Sequence, residues 1–131
     1  MIGLDTNILV RFFINDEPAQ RAKVLSLMQS LTVEEQGWIS LAVLMELAWV
    51  LTTIYKVSRP ELARAFNTLL SRKELLLEQS AVVHNAIHIY RRTNVSFADC
   101  LISASAQAAG CTQTFTFDQA AAKTAGMTLL P

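Results

Sequence analysis

Short apolar segments of strand length alternate with longer segments of helical length along the whole chain. Parallel strands need long connections, which are usually helices, so this alternation predicts an α/β fold. The architecture that we expect is a three-layer sandwich, with a short-stranded central parallel sheet flanked by helices. The strand candidates are Ile2–Leu4, Trp38–Ile39, Leu75–Leu77, Phe115–Phe117 and Met127–Leu130.

Helix starts and stops between these strands are marked by capping residues. Ser58 stands three residues ahead of Glu61, the spacing of a capping box, and Gly110 follows a segment of helical length. Ser40 is placed to cap the most apolar segment of the chain. The predicted helices are one that follows Asp5-Thr6-Asn7 and runs to about Ile14, Pro18–Leu31, Leu41–Ile54, a segment from Arg59 onward, Ser80–Thr93, Ser96–Ala109 and Asp118–Ala125.

A chain of 131 residues is long enough for one domain, which we expect to span residues 1–131. With 11 basic and 11 acidic side chains the net charge is zero, so global charge does not indicate a nucleic-acid partner. Cys100 and Cys111 have apolar neighbours and are interpreted as reduced core thiols. No signal peptide is visible and no apolar run is long enough to span a membrane, so we expect a cytoplasmic protein.

The first strand candidate ends in a polar group of residues. Ile2 and Leu4 alternate with Gly3 as in a short buried strand, and the pattern breaks at Asp5-Thr6-Asn7. Ligands collect at the carboxyl ends of strands in open α/β sheets. A carboxylate in such a place is costly unless a hydrogen-bond donor or a cation neutralises it.

Four acidic residues stand alone in otherwise uncharged segments. Glu46 is the only charged residue between Gly37 and Tyr55, and Asp99 and Asp118 are the only ones between Thr93 and Ala122. Together with Asp5 they have no basic neighbour in sequence, and buried carboxylates must be paired, hydrogen-bonded or bound to metal. Convergence on one divalent cation would satisfy all of them. Carboxylate oxygens favour Mg²⁺ or Mn²⁺ over zinc, and such a site supports phosphodiester hydrolysis.

Three of these acids also fit a purely structural role. Asp5 and Asp118 are each placed to cap the helix that follows, and Asp99 lies three residues after Ser96, a capping-box spacing. Glu46 is different because it lies in mid-helix, where capping does not apply. Its apolar sequence neighbours lead us to expect that it is not on the surface.

The order of these motifs resembles the PIN-domain family, and within it the small VapC-type toxins of bacterial toxin–antitoxin pairs. The resemblance extends over essentially the whole chain and rests on four pieces: Asp5-Thr6-Asn7, Glu46 on an apolar helix, Ser96-Phe97-Ala98-Asp99 and Thr116-Phe117-Asp118. It implies a metal-dependent endoribonuclease that cleaves single-stranded or loop RNA with Mg²⁺ or Mn²⁺.

The resemblance also implies roles for individual residues and partners. The acidic metal ligands and catalytic residues map onto Asp5, Glu46, Asp99 and Asp118, and the hydroxyl and amide helpers onto Thr6, Asn7 and Thr116. The implied partners are the RNA substrate, a cognate antitoxin protein and a second copy of the chain in a homodimer, with no membrane.

Basic residues offer two further candidates. Arg11 follows the first acidic motif closely and is the residue that we most expect to contact RNA. His84 and His88 have the spacing of a zinc-binding pair, but Asn85 stands where a metalloprotease has glutamate, and no third ligand follows. We interpret the face that they share with Arg91 and Arg92 as solvated or as part of a substrate surface.

Two other function classes remain open. An aspartate that ends a first strand also suits an aspartyl-nucleophile phosphotransferase. Asn7 stands where that chemistry needs a second aspartate, and no lysine adjoins the later acids. The other class is a non-catalytic binding module with the same fold.

Overall fold

The computed structural model describes residues 1–131 and contains seven α-helices and five short β-strands. The chain forms two compact units, the first unit comprising Met1–Glu78 and the second unit Gln79–Pro131. All the paired strands are parallel, so the prediction of an α/β fold with short parallel strands among helices is confirmed. The expectation that residues 1–131 make one domain stays a prediction.

The first unit is built on a three-stranded parallel sheet in the order β1-β2-β3. Two helices connect β1 to β2, and a further two connect β2 to β3, the first of them extended by one π-helical segment, Val50–Ile54. The elements are β1 (Ile2–Gly3), α1 (Thr6–Phe13), α2 (Pro18–Ser30), β2 (Gly37–Ile39), α3 (Leu41–Trp49), α4 (Arg59–Ser71) and β3 (Leu75–Leu77).

The helices of the first unit begin where the sequence predicts. The Ser40 hydroxyl accepts a hydrogen bond from the Val43 amide at 3.1 Å and so caps α3. Ser58 and Glu61 form the complete capping box at the start of α4. The hydrogen bonds from the Ser58 hydroxyl and backbone amide lower the pKa of the Glu61 carboxyl below its ordinary value. Local capping therefore fixes the residue at which α3 and α4 each begin.

The first strand is less buried than expected. Ile2 and Gly3 are exposed, and only Leu4, just beyond β1, lies in the core. The prediction of a buried first strand is therefore wrong, because β1 is an edge strand that pairs only with β2 in its sheet. The core of the unit instead gathers apolar side chains from β2 and the helices around it, including Leu9, Ile39, Leu44, Leu47, Leu62, Phe66 and Leu69.

The second unit packs two long helices against each other and adds a two-stranded parallel sheet. Its elements are α5 (Ser80–Arg92), α6 (Phe97–Ala108), β4 (Phe115–Thr116), α7 (Gln119–Thr124) and β5 (Thr128–Leu129). The rings of Tyr90 and Phe97 meet edge to face with centroids 6.2 Å apart, so the last turn of α5 contacts the first turn of α6. Gly110 has a φ of 89° just after α6, which confirms that it ends this helix.

The two cysteines differ in environment. Cys100 is buried on α6, as predicted, and Cys111 is exposed. The expectation of a core thiol is wrong for Cys111, because it follows Gly110 in the turn that leaves the helix. No helix is both long and apolar enough to cross a membrane.

Candidate active site

Asp5 lies between the end of β1 and the start of α1. Its Oδ1 accepts a hydrogen bond from the Thr6 amide at 2.8 Å, which confirms the predicted cap. This bond uses one carboxylate oxygen, and an ionised carboxylate has a second that can serve another role. The side chain is exposed, as is that of Asn7, so both are accessible to a ligand from solvent.

Thr6 has a buried hydroxyl that no other group satisfies. Only 4% of the residue is exposed, and its Oγ1 has no hydrogen-bond partner. Buried polar atoms are almost always hydrogen-bonded in folded proteins, so an unpaired one needs an explanation such as a ligand, an ion or water. The atom belongs to the residue next to Asp5 and is one of the predicted helpers.

Glu46 is exposed, so the expectation that it is not on the surface is wrong. On a helix the neighbours of a residue in space are three and four positions away in sequence, and those adjacent in sequence point elsewhere. Ala42 and Trp49 occupy such positions and are exposed too, Trp49 at 59%. The buried stripe of this helical segment is made instead by Leu44, Leu47, Ala48 and Leu51.

A fifth carboxylate, which sequence reasoning missed, supports the helix that carries Glu46. Glu78 follows β3 directly and is half-buried, and its Oε1 accepts a hydrogen bond from the Leu41 amide at 2.8 Å. It satisfies a backbone donor at the start of α3 beside the one satisfied by Ser40. The signal that could have revealed it is a glutamate immediately after a strand candidate.

Asp118 repeats in the second unit the arrangement of Asp5 in the first. It follows β4, is exposed, and caps α7 by accepting a hydrogen bond from the Ala121 amide at 3.0 Å. The Thr116 hydroxyl accepts one from the Asp118 amide at 3.0 Å and so holds the backbone of the capping residue. The predicted cap is confirmed, and Thr116 lies beside it.

Asp99 lies in the first turn of α6 and is half-buried. Its backbone amide donates a hydrogen bond to the Ser96 hydroxyl at 3.1 Å, so Ser96 is the N-cap of the helix. The Asp99 carboxylate therefore stands close to the positive end of the α6 dipole, where negative charge is stabilised.

These four acids are not neutralised by basic residues of the protein. The three ion pairs join the amino terminus to Glu35, Arg11 to Asp16, and Arg72 to Glu74. The candidate donors are carboxylate, hydroxyl and amide oxygens, which fit Mg²⁺ or Mn²⁺ in chemical type. No three His, Cys, Asp or Glu side chains gather closely enough to hold a metal ion. Convergence of the four acids stays a prediction.

Arg11 is held by a local hydrogen-bond network. Its Nη1 donates to Asp16 Oδ1 at 2.7 Å and to the Tyr55 hydroxyl at 3.3 Å, and its Nε donates to Gln20 at 2.9 Å. The Tyr55 hydroxyl donates in turn to Asp16 Oδ2 at 2.8 Å. The hydrogen bond that Arg11 donates to the Tyr55 hydroxyl and the charge of Asp16 raise the pKa of Arg11. The guanidinium thus links α1 to α2, and its role in binding RNA stays a prediction.

Comparison with known families now identifies the fold. The family model of the PIN domain matches residues 2–127. The chain belongs to the PIN domain family. The match extends over both units and includes all four candidate acids, and PIN domains are generally nucleases that use divalent metals. We find no curated protein whose sequence matches this PIN domain.

Proposed function

We propose that this PIN domain is an endoribonuclease that uses Mg²⁺ or Mn²⁺ to cleave single-stranded or loop RNA. The observation that carries the proposal is the family match over residues 2–127, a range that includes Asp5, Glu46, Asp99 and Asp118. Two local features support it. Asp5 and Asp118 both follow short parallel strands, and both are accessible from solvent.

In the proposed mechanism the four carboxylates would hold the cation, and the neighbouring polar groups would position water and substrate. A bound divalent ion lowers the pKa of a coordinated water and offsets the negative charge of the phosphate. The caps at Asp5 and Asp118 fix the direction of each carboxylate before substrate arrives, which lowers the cost of ordering the site. The free hydroxyl of Thr6 is available to hold a water beside Asp5.

The biological role that we propose is that of a VapC-type toxin acting in the cytoplasm. Its RNase activity would be held in check by a cognate antitoxin, and the chain would act as a homodimer. The support is the motif order described above. Expression of the chain alone should then arrest growth, and Asp99→Asn should remove that effect; arrest by the variant equal to that by the wild type would contradict the toxin role.

The biochemical test is cleavage of a labelled RNA that carries both a single-stranded stretch and a hairpin loop. We expect the purified chain to cleave it with Mg²⁺ or Mn²⁺ and not with EDTA. Asp99→Asn should reduce the rate by at least about a hundredfold, since it removes a charged ligand of the cation that would stabilise the transition state. Glu34→Gln, which removes an exposed carboxylate outside the candidate site, is the matched control and should retain the rate.

Three results would refute the nuclease assignment. Cleavage that persists in EDTA, or that Asp99→Asn leaves unchanged, would show that a contaminant or another site is responsible. Phosphate release through a covalent aspartyl intermediate would indicate the phosphotransferase instead. RNA binding without turnover would indicate a non-catalytic PIN-fold module.

A further inference from the structure

The second unit contains a polar pocket away from its two candidate acids. It has a volume of about 430 Å³, within the range of small-molecule sites. One wall is a stripe on α5 made by Asn85, His88 and Arg92, and another is Gln107 of α6. The last residue of α7 and the two residues after it, 124–126, complete the lining. No carboxylate lines this pocket.

Arg92 gives the pocket a positive charge that no ion pair of the protein neutralises. The α5 helix carries no acidic residue, and none of the ion pairs of the chain involves His88 or Arg92. Arg92 lies in the last turn of α5, where it also complements the helix dipole. That role does not account for His88, which lies one turn earlier on α5. It also does not account for the amide side chains of Asn85 and Gln107, which line the same pocket.

We propose that this pocket binds one nucleotide of the RNA strand, an inference that rests on the function proposed above. Arg92 and His88 hold the phosphate, because a guanidinium forms charge-assisted hydrogen bonds to phosphate oxygens and an imidazole N–H can also donate to them. Asn85 and Gln107 bind the base, because each amide offers a donor and an acceptor to the edge of an unpaired base.

The position of the pocket fits an RNA track that begins at the acids of the same unit. Gln107 follows Asp99 by eight residues on α6, which corresponds to about 12 Å along the helix axis at 1.5 Å per residue. A few nucleotides of single-stranded RNA span such a distance. The nucleotide in the pocket is therefore a neighbour of the scissile phosphate along the strand and is not the cleaved position itself.

The first experiment measures the affinity for a fluorescent single-stranded RNA by anisotropy, in EDTA so that the strand stays intact. Arg92→Gln should weaken binding about tenfold and make the slope of log K against log salt shallower by about 0.7, the value for one lost phosphate contact with a single strand. Arg91→Gln is the matched control: it removes the same charge from the same turn at a residue that does not line the pocket. It should change the affinity less than about twofold.

Equal losses for Arg91→Gln and Arg92→Gln would overturn the proposal, because they would indicate only a diffuse effect of surface charge. Asn85→Asp places a carboxylate in the pocket and should weaken RNA binding at least as much as Arg92→Gln, since the new charge repels phosphate. Unchanged binding by Asn85→Asp would also overturn it. Far-UV circular dichroism and thermal unfolding verify that the variants are folded.

Competition with small ligands tests whether the base is bound. AMP should displace the RNA from the wild-type chain at concentrations where inorganic phosphate does not, and Gln107→Ala should reduce this difference, because the amide contacts to the base distinguish the two ligands. Equal competition by phosphate and AMP would overturn the assignment of Asn85 and Gln107. If AMP binds in a way that depends on Arg92 but does not displace RNA, the proposal is also overturned, and the pocket is a site for free nucleotides.

The two proposals fail in different ways. If the chain never cleaves RNA but Arg92→Gln weakens RNA binding, the nuclease function fails and the pocket stands. If Asp99→Asn abolishes cleavage but Arg92→Gln binds RNA as tightly as the wild type, the nuclease function stands and the pocket assignment fails.

Discussion

The two units of the chain use their charged residues differently. In the first unit, Arg11 and Arg72 each form an ion pair, with Asp16 at 2.7 Å and Glu74 at 3.1 Å. In the second unit no lysine or arginine forms an ion pair, and the basic residues of α5 face solvent. In the first unit, Arg11 and Arg72 are thus paired with carboxylates of the same unit. The second leaves its positive charge available to an anionic ligand, which a net charge of zero for the whole chain conceals.

In one respect the units are alike. Each contains an aspartate that follows a short parallel strand and caps the next helix, Asp5 in the first and Asp118 in the second. The cap explains why each helix begins there, and it leaves the second oxygen of each carboxylate for chemistry. The capping and metal-binding interpretations of these aspartates are therefore compatible.

Leu44→Ala should produce the largest change in the free energy of unfolding. It also tests whether the two units unfold together. Leu44 is fully buried in the first unit, so the variant should lose about 2–5 kcal/mol of unfolding free energy. Trp38 and Trp49 report unfolding of the first unit by fluorescence, and hydrogen exchange of the α5 amides reports the second. If residues 1–131 are one domain, the free energy of unfolding should fall by the same amount in both measurements.

The matched control is Leu76→Ala, because Leu76 is 40% exposed on β3. It should cost less than about 1.5 kcal/mol, since less apolar area is lost from a partly exposed site. A shift in fluorescence with no change in α5 exchange would show that the units are separate domains.

Asparagine and alanine variants of Asp5 and Asp118 should separate stability from catalysis in both units. Asparagine caps helices as well as aspartate does, so Asp→Asn should preserve the melting temperature, whereas Asp→Ala should cost about 0.5–2 kcal/mol. RNA cleavage should fall with either substitution if the charge is needed for metal. Full activity of both Asn variants would show that Asp5 and Asp118 only cap helices and are not needed for catalysis.

Tyr55→Phe tests the Arg11 network of the first unit. The variant loses the hydrogen bonds of the Tyr55 hydroxyl to Asp16 and Arg11 but leaves the ion pair between those two residues. We expect a loss of about 0.5–1.5 kcal/mol in urea unfolding. In an Asp16→Asn background the effect of Tyr55→Phe should be smaller, because the two groups share one network; additive losses would show that they act independently.

The smallest expected effect is the pH dependence contributed by Glu61. Its pKa is lowered in the folded chain from an ordinary value of 4.5, so ionised Glu61 stabilises the fold above that pH. The contribution is lost as pH falls through the lowered pKa. The stability difference between wild type and Glu61→Gln should therefore be present at neutral pH and vanish in acid. A difference that persists unchanged at low pH would contradict this linkage.

The sequence predicted the elements well because their ends are decided locally. Ser58 and Glu61 mark a helix start that the structure reproduces, and the helix predicted over Ser80–Thr93 spans Ser80–Arg92. Glu46 was misjudged because adjacent residues on a helix point in different directions, and the stripe through Leu44, Leu47 and Leu51 already indicated an opposite, exposed face.

Other features of the candidate site depend on packing between distant parts of the chain. The role of Glu78 requires β3 to lie beside β2, so that its carboxylate reaches the amide that opens α3. The buried hydroxyl of Thr6 likewise has no signature in the sequence. The predicted convergence of Asp5 and Glu46 with Asp99 and Asp118 would depend on how distant segments of the chain pack, which the order of the motifs alone does not determine.

The small size of residue 37 has a consequence for redesign of this protein. A Cβ added to Gly37 on the central strand would lie 2.8 Å from a methyl carbon of Leu4, 2.9 Å from one of Leu31 and 3.0 Å from one of Leu75. Three strand and loop leucines thus fill the volume that a side chain would need. An engineer who wished to replace this glycine would first have to shorten a leucine, so the residues around the middle strand must be exchanged as a set.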